Sequence, residues 1–510
     1  MKAQPCVLSL AETGPNGLVV TIECSLSNSL PNIVIVGYVS RAVDEARERI
    51  RSSFTASKLN LPRKRIIVNL APADIPKEGT SFDLSIAAAI LAATSQIKDP
   101  LQDTAIIGEL GLDGTVRPVR GIIGKLLVGK RHGLKRFIIP TENLAQAALL
   151  PGIHLAPVAT LTELYQYLND SAAISIVNTD IEPDQAFETS VDSAELSLDD
   201  VIGQELGKRA VEISAAGGHN LLLGGPPGTG KSMLAKILPS LLPPLSREEM
   251  LEVTHLHSLA SSNFNRIVHE RPFRSPHHSA SNVAIVGGGS TIRPGEMSLS
   301  HHGVLLFDEL PEFNRVAIEA LRQPLETRTI SIARAKDSTD FPANFIFVGT
   351  ANPCPCGYHG TSKTCRCLPY QLERYRRKLS GPILDRIDLY VDVHEIDNSQ
   401  LLDQQPKERS SRQIQERIIA ARAIQAKRFG KTPGLNAEMS NRDIQNHAQL
   451  QPDAKRILDQ AASSFSLSAR AYLRTVKVAR TIADLDTSEV IQSHHIAEAL
   501  QYRPHSYHDA

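Results

Sequence analysis

The chain has 510 residues, and 55 Lys plus Arg against 55 Asp plus Glu leave a formal net charge of zero. That length predicts about three domains, each able to bury a core, and the balanced charge excludes a global field for nucleic acid, so any such surface must be local. No apolar run approaches ~20 residues and no basic-plus-apolar leader opens the chain, which predicts a cytoplasmic protein with no membrane partner.

Residues 1–172 read as an α/β unit. Strand patterns fall at Leu18–Cys24, Ile33–Val36, Arg65–Leu70, Thr104–Leu110 and Arg136–Ile139, with helical patterns at Arg41–Ala56, Ser81–Ala93 and Ile122–His132. No Lys or Arg occurs between Arg136 and Lys208, while acids gather from Asp180 to Asp200. Residues 173–198 are therefore predicted to be a solvated acidic linker.

Next comes the apolar strand Leu221–Leu223 and then Gly225-Pro226-Pro227-Gly228-Thr229-Gly230-Lys231-Ser232, opening a helix. Glycines there let backbone N–H groups approach phosphate oxygens, and the helix N-terminus adds its positive dipole end. Lys231 is expected on the β- and γ-phosphates of a nucleoside triphosphate, with the Ser232 hydroxyl on Mg²⁺. About 75 residues on, Val304-Leu305-Leu306-Phe307-Asp308-Glu309 is a buried strand ending in two carboxylates. Asp308 is placed to hold the Mg²⁺ shell, and Glu309 to polarise the attacking water.

The strand Asn344–Gly349 runs on to Asn352, an amide able to orient that water and sense the γ-phosphate. Arg386, between Asp385 and Asp388, is predicted either to reach a neighbouring subunit's nucleotide or to form a local ion pair. From 408 to 502 the pattern is helical, with breaks at 431–434 and near Pro452. In its helix from Ser468, Arg470, Arg474 and Lys477 share a face opposite Tyr472, Val476, Ala479 and Ala483. That stripe is either solvated or the face of a lid; in a lid, Arg470 is expected over the γ-phosphate, with Arg474 in reserve.

Four of the six cysteines cluster as Cys354-Pro-Cys356 and Cys365-Arg-Cys367, with eight residues between the pairs. The set suits a structural Zn²⁺ or a group of free thiols. The spacing of one residue inside each pair departs from the usual two.

These elements together resemble an AAA+ ATPase of the magnesium-chelatase-like group, with Val201-Ile202-Gly203-Gln204 as the adenine-side segment. Arg271-Pro-Phe-Arg-Ser-Pro-His-His278 and Gly287-Gly-Gly-Ser-Thr-Ile-Arg293-Pro-Gly295 resemble the bacterial YifB/ComM family. The resemblance runs through the whole chain. It implies an α/β multidomain architecture, with an AAA+ P-loop doubly wound sheet over 199–395 and an α-helical lid over 396–510. It also implies a homo-oligomeric ring, a hexamer, with ATP between subunits, acting on single-stranded or branched DNA as a branch-migration helicase in natural transformation. A chelatase-type motor that remodels a protein partner is the alternative. DNA contacts are expected at Arg293 and, on a hairpin, at Arg334 and Lys336, unless these are ordinary surface cations.

Pro76-Lys-Glu-Gly-Thr-Ser81-Phe-Asp83 and the segment Ile107–Gly133 resemble Lon-type serine peptidases, implying a Lon-protease-like (ribosomal S5 domain 2-like) α+β domain at the N-terminus. Ser81 falls at the nucleophile position, but the lysine position is Ile123. An isoleucine supplies no base, so no active peptidase is expected unless Lys77 or Lys125 substitutes.

Overall fold

The computed structural model describes residues 6–11, 17–75, 77, 79–99, 101, 103–170, 176–179, 197–260, 264–289, 292–333, 338–361, 363–379, 381–395, 411–430 and 434–503. Its contacts divide into two compact units, the first formed from Met1–Glu188, Ser246–His269 and Ala333–Thr339, the second from the rest.

In the first unit an eight-stranded mixed sheet runs, edge to edge, through Val177–Asn178, His154–Val158, Arg136–Pro140, Thr104–Ile106, Cys6–Ala11, Leu18–Ser27, Arg65–Ala71 and Asn32–Val36. The helix Asp83–Ala93 buries every residue from Asp83 to Leu91. Its run of Ala87, Ala88 and Ala89 has no polar face, as expected of a helix covered on all sides. Beside it the helix Ala46–Ala56 buries Ile50 and Phe54, one turn apart on one face.

Three sequence expectations are altered here. The helix expected over Arg41–Ala56 is two, Arg41–Asp44 and Ala46–Ala56, parted at Glu45. The strand expected over Thr104–Leu110 breaks after Ile106; Glu109–Leu110 instead pairs with Val116–Arg117 in a separate hairpin. Within the stretch read as a linker, Val177–Asn178 adds to the sheet antiparallel to His154–Val158, while 171–175 and 180–196 lie outside the described residues.

Residues 246–269, inside the span read as the ATPase core, pack on the first unit. Arg247 donates to the carbonyl of Ala148 at 2.9 Å and of Leu149 at 3.1 Å, and the Arg120 guanidinium stacks on Phe264. Met250, Leu251 and Ile267 extend that unit's apolar cluster.

The second unit is built on a five-stranded parallel sheet in the order Phe273–Arg274, Val304–Phe307, Ile346–Ala351, Leu221–Gly224, Leu389–Asp392. Its three central strands are buried along their whole length, the continuous apolar pattern of a sheet covered on both faces. Ligands of such sheets bind beyond the carboxyl ends of the strands, where Gly225, Asp308 and Asn352 emerge. The helices Ser411–Phe429, Asn441–His447, Pro452–Ser464, Ala469–Leu485 and Ser493–Gln501 follow. They close around a buried polar knot, in which Asp484 takes bonds from Arg428 (2.8 Å), Arg480 (3.1 Å) and Asn436 (2.7 Å). Satisfied on every side, such a knot fixes how these helices meet.

Candidate nucleotide site

At Gly225 φ is +147°, and an added Cβ would lie 2.2 Å from the Val393 carbonyl. The chain leaves the strand here by sliding backbone against backbone, which only glycine permits. Gly228 and Gly230 have φ of +83° and +87°, so the loop curls back and Gly230 caps the helix Lys231–Leu241. The first N–H groups of that helix have no partner within it, which makes its mouth an anion cradle.

Lys231 is 7% exposed, and its ammonium donates to the carbonyls of Gly225 (2.7 Å) and Pro226 (2.6 Å) and to Asn352 Oδ1 (3.3 Å). Burial lowers its pKa, against the pull of Asp308 and Glu309. A bound triphosphate would compete for this same ammonium. Thr229 braces the loop through Pro226. Gln204, at a left-handed φ of 55°, donates to His394 O at 2.6 Å and Thr229 O at 3.4 Å. The segment carrying Ile202 is thereby tied to the phosphate loop.

Ser232 Oγ donates to both Asp308 oxygens, at 2.9 and 3.0 Å. Hydroxyl and carboxylate together are hard oxygen donors suited to Mg²⁺. Thr350 donates to Asp308 at 2.6 Å and accepts the Glu309 N–H at 2.9 Å. Sequence reasoning gave Thr350 no role; the register, with Phe307 opposite Gly349, is what brings it here. Glu309 is exposed, with φ of 55°, an unusual conformation for a glutamate and one that recurs at functional sites.

The arginines lie elsewhere. Leu221 pairs with Leu389 and Gly224 with Asp392, so Arg386 precedes the amino end of its strand while the phosphate loop follows the carboxyl end of the adjacent one. The paired strands alone separate them by about 10 Å. Arg386 pairs with Glu326 at 2.6 Å and donates to Pro382 O, its Nε buried with no partner among the described residues. The local pair with Asp385 or Asp388 is not what forms.

Arg470 pairs with the same Glu326, whose carboxyl is held below the ordinary range first by the Arg386 bond and then by Arg470. Arg470 thus stands beside Arg386, beyond the amino ends of the paired strands and away from the phosphate loop of its own chain. Arg474, the reserve, is a structural group, donating to Ile387 O at 3.1 Å with Nε 3.7 Å from Asp388. Within the basic stripe of this helix Arg470 is exposed, whereas Arg474 is largely covered and Lys477 donates to Ala437 O.

Comparison with known proteins decides the family. Competence protein ComM of Haemophilus influenzae is 42% identical over 98% of this chain and 97% of its own length, and YifB of Salmonella typhimurium is 42% identical over 97% and 96%. The chain belongs to the YifB/ComM family. The description "Magnesium chelatase, subunit ChlI" matches residues 197–401, "Subunit ChlI of Mg-chelatase" 22–143, and the ChlI C-terminal description 408–503. The YifB/ComM chain is thus a magnesium-chelatase-like AAA+ ATPase, with an N-terminal Lon-like part, the parallel P-loop sheet and a C-terminal helical region. Lon protease 2 of Borreliella burgdorferi is 32% identical over 173 residues, 32% of this chain and 22% of that protein.

In this family member the peptidase-like segment is occupied by other bonds. Lys77 is fully buried and donates to the carbonyls of Pro72 and Ile75, Lys125 donates to Arg120 O at 2.7 Å, and Ile123 is fully buried. Asp83, two residues after Ser81, is clamped by Arg49 at 2.6 and 3.0 Å. That bidentate pair joins two helices. The four cysteines come together, with all four sulfurs within 4.8 Å of one another. Arg293 is exposed on a short hairpin with Gly287–Gly288. Thr329–Ala333 and Ser338–Pro342 form the expected two-stranded hairpin, and Arg334 and Lys336 lie outside the described residues. No helix among the described residues is long and apolar enough to cross a membrane.

Proposed function

We propose that this ATPase is a ring-forming motor that moves along branched DNA, a branch-migration helicase serving recombination during natural transformation. The observation that carries the ring is the distance between the two halves of the machinery. Arg386 and Arg470 share Glu326 beyond the amino ends of the strands, while their own phosphate loop lies at the carboxyl ends, so the nucleotide they serve is a neighbouring copy's. The DNA substrate rests on the near-complete likeness to a protein named for competence. Six copies per ring is the number the family resemblance implies.

In each pocket the N–H groups from Gly228 to Ser232 and the Lys231 ammonium hold the phosphates. Ser232 and Asp308 would hold Mg²⁺, which would supply positive charge beside the phosphate oxygens. Glu309 takes a proton from the attacking water as its oxygen bonds to the γ-phosphorus and the bond to the bridging oxygen of ADP breaks. Asn352, touching Lys231, orients that water. Arg386 and Arg470 of the adjacent copy neutralise the charge that develops, a contribution worth orders of magnitude in rate. The N-terminal domain serves as a scaffold without peptidase activity, because both candidate lysines are spent on backbone carbonyls.

The test is ATP turnover and strand displacement on a four-way junction, for wild type and Arg334→Ala/Lys336→Ala. Turnover stimulated by the junction, and displacement lost in the variant, support a DNA motor. Turnover indifferent to DNA points to a chelatase-type motor acting on a protein. Labelling of Ser81 by a serine-reactive probe would overturn the scaffold role.

A further inference from the structure

The loop between the strand Ile346–Ala351 and the helix Pro369–Arg376 is short of apolar anchors, with Gly357, Gly360, Thr361 and Thr364 in its span. It is nonetheless drawn into a knot of sulfurs. Cys354 Sγ lies 3.3 Å from Cys356 and 3.8 Å from Cys365, and Cys356 lies 3.6 Å from Cys365. All are free thiols, too far apart for a disulfide. Four thiolates at ~2.3 Å from a tetrahedral Zn²⁺ stand about 3.8 Å from one another; the three distances above lie at or somewhat below that spacing, and Cys367 is within 4.8 Å of the others.

Backbone groups complete the surroundings. The His359 N–H points at Cys354 Sγ at 3.3 Å. N–H donors around sulfur stabilise thiolate and fix its direction, the work of an outer shell. Lys363 and Arg366 add positive charge beside a dianionic tetrathiolate centre. The cluster offers sulfur only, so a soft, four-coordinate cation is favoured over Mg²⁺.

This knot abuts the nucleotide site at two points. Cys354 is two residues beyond Asn352, whose Oδ1 lies on the Lys231 ammonium. Gly357, at φ +85°, faces Pro227 of the phosphate loop so closely that an added Cβ would stand 2.7 Å from its Cδ.

We propose that Cys354, Cys356, Cys365 and Cys367 bind one structural Zn²⁺ that holds this loop as a wall against the phosphate loop, so that metal occupancy sets nucleotide affinity. The affinity half rests on reading Gly225–Ser232 as the ATP site; the metal half does not. Zinc occupies no open position, so it takes no part in the chemistry itself.

The experiment uses the full chain, untagged, with metal content read by mass spectrometry and binding by a fluorescent ATP analogue. Wild type is expected to carry one zinc per chain, and Cys356→Ser/Cys367→Ser to carry none and bind the analogue at least about tenfold more weakly, as displaced positioning groups do. Gly357→Ala keeps all four thiolates, so it is expected to retain zinc and still lose affinity, which separates the wall from general unfolding. Lys231→Ala should lose nucleotide and keep zinc. Wild type that copurifies with iron, with disulfides or with no metal overturns the site. Zinc present but affinity unchanged in both the cysteine pair variant and Gly357→Ala overturns the coupling, and leaves the ATP site itself standing.

Discussion

Asp388→Asn is the substitution whose cost the structure defines best. The carboxylate is 7% exposed; it accepts the Asn220 N–H at 3.1 Å and stands 3.7 Å from Arg474 Nε and 3.6 Å from His219 Nδ1. Burial alone would raise its pKa, yet the nearby His219 ring, the Arg474 charge and the Asn220 N–H together hold it well below the ordinary carboxylate range. Asparagine keeps the shape and removes the charge, leaving Arg474 buried beside a neutral amide. Breaking one partner of such a pair costs about 3–5 kcal/mol.

Urea unfolding of the ATPase unit should show that loss. Because the folded value is depressed, the wild-type advantage is complete above the unfolded value of 3.8 and shrinks as pH falls below it towards the folded value. The gap between wild type and variant should therefore be flat from about pH 5 to 8 and narrow below about 4. Arg386 stands two residues away, so turnover should fall while nucleotide binding persists. A variant within about 0.5 kcal/mol of wild type, the range of an ordinary surface change, would refute the reasoning.

Two more outcomes are expected. Glu309→Gln should bind ATP as wild type does and lose about 10²–10⁴-fold in turnover, read by an ATPase assay beside a binding titration, since it removes only the proton acceptor. Gly225→Ala should abolish nucleotide binding and lower the melting temperature of the ATPase unit, because its Cβ would lie 2.2 Å from the Val393 carbonyl, where neither chain can yield cheaply.

The parts legible in the sequence were those whose chemistry is local. Gly225 to Ser232 needs one strand, one turn and one helix start, all contiguous. Asp308 and Asn352 were legible because both end apolar runs of the same sheet. Glu326 was not, since its meaning lies in Arg386 and Arg470, 60 and 144 residues onward. The stripe of Arg470, Arg474 and Lys477 follows helical spacing, but periodicity alone does not say whether a basic face meets water or buried carbonyls. Val177–Asn178 was hidden by its acidic surroundings, since its pairing with His154–Val158 and the packing of Val177 are tertiary. Likewise nothing local to residues 246–269 signals that Arg247 bonds to carbonyls almost 100 positions earlier.

The most direct test of the account mixes two defective chains. Lys231→Ala lacks a phosphate site and Arg386→Ala lacks the arginine owed to its neighbour, so each alone should be nearly silent. Mixed in equal amounts, roughly a quarter of the interfaces in a closed ring join two intact halves, and ATP turnover should reappear in proportion. Arg386→Ala chains that hydrolyse ATP at the wild-type rate, or mixtures that stay silent, would contradict a pocket shared between copies.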